Sequence, residues 1–597
     1  MIKYKNRIVA AAMSAILAVS STGCSASEIG NTILQKLEDL VAMTGLFGNE
    51  GDGNKENAAG GATAGSTGMN TESAAEEEPG QSALSKEAER RRSEGKNLNI
   101  YCWDDSLEAL FLLYYPGYED IGDRTGKIGD VTVNWIVPDD ESKYMELLAE
   151  RLLTAEYLDK DDKVDLYLAP EEDLAIYVNS DYSLDVREKL GLTDEELEDQ
   201  FAFTQQMAST DEGVLKAVTW QASPGVFVYR RSIAKKVLGS GDPEAVQKNL
   251  EGWAKFDAAA AKMNKEKYYM VSGYYDTYSA YRFGADRHWE ERGELVIPEA
   301  FKNWKEQMAL YTKKGYTNKT TMGSDAWVAD QGPGSKVFGF FRAITDIDSK
   351  MAAYSLADID EAPAEGNGIY GDFGVCCGPQ SFCRGGVWIL AAPSSDNLIL
   401  DKEIMENFTC NSDLLYKISK NENIFTNTVS GMRKMARSGL EDPFLGGQNP
   451  YEVYFDAASR LSVTTAGNYD RWMADTFRSS LLKYFKGEMS EYDAMLEFYD
   501  EVKERYPELD TEAELEKTEE EEEERIRKEE AARKAREKKK KEEEAKKKAE
   551  EAKKKAEEAK KSEEAGKAGQ AEDGEKTEKS GGADTSGTAA EKQDTED

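Results

Sequence analysis

Core-forming residues are confined to a single stretch of this chain, and that confinement limits what it can fold into. Between residues 97 and 509 aliphatic and aromatic side chains recur throughout, while the stretches 48–82 and 511–597 nearly lack them. Residues 48–82 are built from Gly, Ala, Ser, Asn, Thr and Glu, a composition that buries too little surface to offset the entropy of ordering. They read as a flexible tether within 24–96. From Thr511 onward aromatic residues stop and Glu, Lys and Ala take over. Ala545, Ala549, Ala552, Ala556 and Ala559 share one helical face, and Glu543–Lys547, Glu550–Lys554 and Glu551–Lys555 have the favourable four-residue orientation. Residues 511–565 are therefore expected to form a charged helix acting as a semi-rigid spacer. A coiled coil through the thin Ala seam is the alternative. Residues 566–597 are expected to be a disordered tail. The central stretch is too long for one small core, so two lobes are expected.

The N-terminus fixes the compartment. Lys3, Lys5 and Arg7 precede a mostly apolar run at 8–19, too short to span a bilayer and read as a removable signal peptide over 1–23. Ser21-Thr22-Gly23-Cys24 resembles the lipobox of bacterial lipoproteins, with Ser21 departing from the usual aliphatic residue. The resemblance implies a lipidated (palmitate-type) Cys24, and so a chain anchored by lipid to the outer face of the cell membrane.

Charge and metal-ligand content exclude several functions. Residues 511–597 hold 30 acidic and 23 basic residues, a net of −7, which leaves −32 of the chain's −39 on residues 1–510. A body so acidic repels polyanions, so nucleic acid is not an expected partner. Beyond Cys24 there are five cysteines, an odd number; Cys376 or Cys377 with Cys383 would close a small loop, and the sequence leaves that open. With one histidine, His288, no metal centre and no cofactor are expected.

Within the central stretch, residues 97–103 and 131–137 read as strands, 141–154 as a helix and 164–169 as a strand. This succession argues for a parallel α/β sheet. The ordered features then resemble the extracellular solute-binding proteins of carbohydrate ABC importers (family 1). They are the opening strand ending at Trp103, the Asp-Leu-Tyr-Leu-Ala-Pro run at 165–170, and Gly213-Val-Leu-Lys-Ala-Val-Thr-Trp-Gln-Ala-Ser-Pro224 leading through Tyr229-Arg230 into a helix ending at Leu238-Gly239. Gly385-Gly-Val-Trp-Ile-Leu-Ala-Ala-Pro at 385–393, a helix over 402–410, Tyr-Phe-Lys-Gly at 484–487 and Tyr506-Pro507 complete the order. The resemblance implies an α/β fold: a two-lobe, periplasmic-binding-protein-like (type II) clamp with hinge strands, plus the C-terminal charged helix. Lobe 1 is assigned to 97–222 and 385–425, lobe 2 to 223–384 and 426–510.

The resemblance further implies a monomeric, non-enzymatic capture protein delivering a sugar or oligosaccharide to separate permease subunits. Sugar rings call for aromatic platforms with polar groups at strand ends and hinges. The candidate ligand-binding residues are Trp103, Asp104, Trp220, Tyr275, Asp276, Trp327, Phe341 and Trp388. A polyamine or peptide ligand is the alternative within transport, and a surface scaffold or adhesin the alternative outside it. A glycosidase would need only two carboxylates, but a lone histidine supplies no nucleophile–base set.

Overall fold

The computed structural model describes residues 94–283, 288–464 and 466–569. Cys24, the segment 1–23, nearly all of the tether and residues 570–597 lie outside the described residues. Two compact units result, one reaching Leu515 and one beginning at Glu516.

In the first unit, lobe 1 is built on a six-stranded sheet: β1 (Asn97–Tyr101), β2 (Tyr118–Gly122), β3 (Thr125–Ile128), β4 (Val131–Ile136), β5 (Leu166–Pro170) and the late β14 (Val387–Ala391). The spatial order is β14-β5-β1-β4-β3-β2. The strands expected from periodicity, β1, β4 and β5, pair in parallel, with Ile100 facing both Trp135 and Leu166. The helix Tyr144–Leu153 between β4 and β5 supplies the crossover that parallel pairing needs. β14 joins antiparallel to β5, with Trp388 opposite Ala169.

Lobe 2 has β6 (Pro224–Arg230) at its centre, flanked by antiparallel β11 (Gly339–Ala343) on one side and by β12 (Phe373–Cys376) and β13 (Phe382–Cys383) on the other. β7 (Val271–Gly273) pairs in parallel with β10 (Thr317–Thr320), and a bridge from Tyr269 to Val337 joins that pair to the start of β11. β8 (Glu290–Glu291) and β9 (Glu294–Leu295) form a separate short hairpin. All seven residues of β6 are buried, as expected of a strand covered on both faces. The helix that follows, Arg231–Leu238, ends where the sequence placed its stop: Gly239 adopts φ +91, a left-handed cap that favours glycine.

Three chain segments cross between the lobes side by side. Gln221 bridges Thr426, Ala222 N–H donates to Phe425 O, and Arg384 N–H donates to Ser223 O. Gly225, just past the first crossing, admits no side chain, because a Cβ there would enter the Phe382 ring.

The five described cysteines are free thiols. Cys376 sits opposite Phe227 and Cys383 opposite Pro224, three positions apart along β6, or roughly 10 Å by strand rise. That exceeds the Cα separation a disulfide bridges.

The boundary of the folded body lies beyond the expected 510. Thr511 and Glu514 are buried, and Tyr499 Oη donates to Glu514 O. The second unit is the remainder of the helix Glu512–Gly569, its described side chains predominantly exposed and laced by pairs such as Glu524–Lys528 at 2.7 Å and Arg525–Glu529 at 2.7 Å. Among the described residues no helix is long and apolar enough to cross a membrane.

Candidate functional site

Strand direction decides which residues meet at the hinge. β5 ends at Pro170, paired with Val387 at the third crossing point, and β1 and β4 run parallel to it. The segments after β1, β4 and β5 therefore form the hinge-side edge of lobe 1. In lobe 2, β6 starts at the hinge and antiparallel β11 ends there, Ala343 opposite Gly225. β7 and β10 run with β11. Both lobes thus turn strand C-terminal ends toward a common cleft, where open α/β sheets bind ligands.

On the lobe 1 edge, Trp103 is half-buried and meets Tyr144 edge-to-face at 5.5 Å. Tyr144 is itself fixed: its hydroxyl lies 3.1 Å from Tyr101 O and 2.6 Å from Leu168 O, and accepts from Leu168 N–H. Asp104, also half-buried, accepts from Ser106 N–H at 3.0 Å and so starts the helix Ser106–Tyr114.

On the lobe 2 edge, Asp276 is buried. Its Oδ2 accepts from Ser272 N–H (2.8 Å) and Gly273 N–H (2.9 Å), and its Oδ1 from the Trp327 indole (3.2 Å). Burial raises its pKa against those hydrogen bonds. The Arg342 guanidinium lies 4.9 Å over the Trp327 ring. Arg384, beside the crossing, donates to Ser279 Oγ at 2.6 Å.

The eight sequence candidates divide accordingly. Trp103 and Asp104 follow β1 and Asp276 follows β7 at the hinge-side edges of the two lobes, and Trp327, on the helix Asp325–Ala329 beyond β10, is bonded to Asp276. Tyr275 is held within lobe 2, its hydroxyl 3.3 Å from Arg478 O and its ring 5.2 Å from the Arg478 guanidinium. Trp220 and Trp388 are core residues, and the Trp388 indole donates to Thr204 O at 3.2 Å. Phe341 packs among Phe227, Phe256 and Phe382. The pleat of β11 explains that last placement: neighbours alternate faces, so Phe341 points into the core and Arg342 to the side of Trp327.

Sequence reasoning passed over four charged residues of the cleft besides Arg342 and Arg384. Glu171 and Asp173 follow β5 and pair across to lobe 2, Glu171 with Arg282 at 3.2 Å and Asp173 with Arg471. Asn179 adds a side-chain bond to Ala466 O at 2.7 Å. A residue at a strand end carries no local signal of a partner more than a hundred positions away; the Pro170-Glu-Glu-Asp run at the end of a strand was the available clue.

Among solved structures the chain is similar to one described as an extracellular solute-binding protein family 1, with TM-score 0.58 and 15% identity over 69% of this chain and 100% of that one. It is also similar to the sugar-binding protein MalE from the phytopathogen Xanthomonas citri, with TM-score 0.50 and 14% identity over 68% of this chain and 97% of that one. No family model matches the sequence, and the search of curated proteins returns no match. At such identities the likeness establishes the fold: this chain has the two-lobe α/β fold of the extracellular solute-binding proteins.

Proposed function

We propose that this chain captures a saccharide between its two lobes and delivers it to the permease of an ABC importer. The carrying observation is the meeting of strand ends: a braced indole, Trp103, on one edge of the cleft and the Trp327–Arg342–Arg384 group on the other, with three hinge crossings between them. Aromatic faces match the apolar faces of sugar rings, and hinge closure buries the hydroxyl edges against charged and polar groups. The neighbour described as a sugar-binding protein supports the same ligand class. Trp103, Asp104 and Trp327 are assigned to ligand contact, and Asp276 to holding Trp327.

The site reads as a binder rather than a catalyst. The two cleft carboxylates that would suggest glycoside hydrolysis, Glu171 and Asp173, are each engaged by an arginine of the opposite lobe. Hydrolysis needs an acid and a base that both face the glycosidic bond. Lipid on Cys24 would tether the chain outside the cell, with the terminal helix as a spacer and the protein acting as a monomer.

A thermal-shift screen of the full chain against saccharides, polyamines and peptides tests the proposal, since a ligand of the folded state raises Tm by mass action. A shift with saccharides that disappears in Trp103→Ala is the expected result. A shift with polyamines or peptides alone would overturn the ligand class, and no shift with any class would refute capture. Loss of membrane retention in Cys24→Ala is the matching result for the anchor.

A further inference from the structure

Arg342 is 2% exposed, and its Nε and Nη2 have no hydrogen-bond acceptor among the described residues. Its nearest carboxylate, Asp346, stands 3.8 Å from Nη2 and is already bound by Lys350 at 2.8 Å. Among the described residues Arg384 donates to neutral groups, Ser279 Oγ at 2.6 Å and Met322 Sδ at 3.5 Å. The two guanidinium charges act on each other: burial lowers the Arg342 pKa, Asp346 opposes that, and Arg384 adds to it. Asp276 is also within electrostatic reach of both, but Ser272, Gly273 and Trp327 occupy its oxygens. Buried donors left unmade are costly, and adjacent like charges add to that cost. This cost falls at the cleft edge of lobe 2, where a ligand would relieve it.

Nε and Nη2 form the side-on edge of a guanidinium, the edge that takes both oxygens of a carboxylate in two parallel hydrogen bonds. Building on the saccharide reading above, we propose that the ligand is an acidic saccharide. Its uronate carboxylate is received side-on by Arg342, with Arg384 supplying the second positive charge and the Trp327 indole walling the subsite. The acidity of the body does not oppose this, because surface charges farther than about 8 Å are largely screened at physiological salt, whereas a contact pair is not.

The test is calorimetric titration of the full chain with galacturonate, glucuronate and mannuronate oligosaccharides, each beside its neutral parent. The expected result is tight binding of an acidic member, with the neutral parent weaker by about 10- to 100-fold, the range for hydrogen bonds to charged groups. Arg342→Gln is expected to remove that preference, bringing the acidic ligand and its neutral parent to within about threefold of each other. A general packing defect would weaken both ligands alike. Should Arg342→Gln fail to show cooperative melting, the half-buried Arg384→Gln carries the same comparison. A neutral saccharide as the tightest ligand, or an acidic one indifferent to both substitutions, overturns the acidic assignment and leaves saccharide capture standing. Failure of every saccharide, acidic and neutral, removes both.

Discussion

Asp401→Asn is expected to stabilise this protein, by an amount that depends on pH. Asp401 and Asp165 are both buried in lobe 1 and are joined through one hydroxyl: Ser395 Oγ lies 2.6 Å from Asp401 Oδ2 and 2.8 Å from Asp165 Oδ1. Burial raises the Asp165 pKa to about 6, against the hydrogen bonds it accepts from Asn99 N–H at 2.8 Å and Asn397 Nδ2 at 3.1 Å, so its carboxylate is present above that pH. A hydroxyl has one proton to give. The consistent arrangement has Asp401 protonated and donating to Ser395 Oγ, which in turn donates to the Asp165 carboxylate. Burial first, and then the Asp165 charge, hold Asp401 well above the ordinary carboxylate range.

A carboxyl whose pKa is raised on folding keeps a proton that the unfolded chain has released, so folding stability falls as pH rises above the unfolded value near 3.9. Each pH unit between that value and the raised folded-state pKa costs about 1.4 kcal/mol. Asn at 401 keeps the shape and keeps an N–H to give to Ser395, without the proton to bind. The variant should match wild type near pH 4 and gain steadily toward pH 7. For a body of about 420 residues ending at Leu515 the unfolding entropy is roughly 0.9 kcal/mol per kelvin, so each such pH unit is worth about 1.5 °C in Tm. Asp165→Asn should do the opposite. Its amide has one oxygen for three donors, Asn99 N–H, Asn397 Nδ2 and Ser395 Oγ, and loses about 1–3 kcal/mol at pH 7, where the wild-type carboxylate is ionised. Scanning calorimetry of the full chain at pH 4, 5, 6 and 7 separates the two. An Asp401→Asn difference that does not change with pH, or that lowers Tm at pH 7, would refute the shared-proton arrangement.

Further perturbations probe the cleft and the boundary. Arg282→Met removes the guanidinium from the nearly buried Glu171 carboxylate and should cost about 3–5 kcal/mol in melting experiments, with Glu171→Leu added in the same chain recovering most of it. Trp103→Ala should abolish saccharide binding with a small change in Tm. Trp220→Ala, a fully buried ring, should cost about 3–5 kcal/mol of stability whatever the ligand. Truncation after Leu515 should preserve both Tm and affinity, whereas truncation after Asp510 should lower Tm, because it removes the buried Thr511 and Glu514.

How far the sequence could be read follows from where each signal resides. β5 was legible from its apolar run and β1 and β4 from apolar residues alternating with Asn and Thr, and the stop at Gly239 because a left-handed cap favours glycine. The hairpin of β2 and β3 was not: four of the five β2 residues are exposed, so no alternation marks it. Choosing aromatic rings picked out Trp103 and Trp327, at the edges of the two lobes, together with Trp220, Trp388 and Phe341, whose apolar character serves the core. The residues that distinguish this cleft are charged, and their meaning is relational. Arg342 is informative because β11 turns it away from Phe341 and onto Trp327, and because the nearest carboxylate is already held by Lys350. None of those facts is local in sequence. A two-lobe fold leaves core composition nearly the same from one ligand class to another, so specificity must reside in the few buried charges lacking internal partners. In this chain that criterion points to Arg342, with the charge of Arg384 beside it, and it makes ligand charge, rather than ring stacking, the first property to measure.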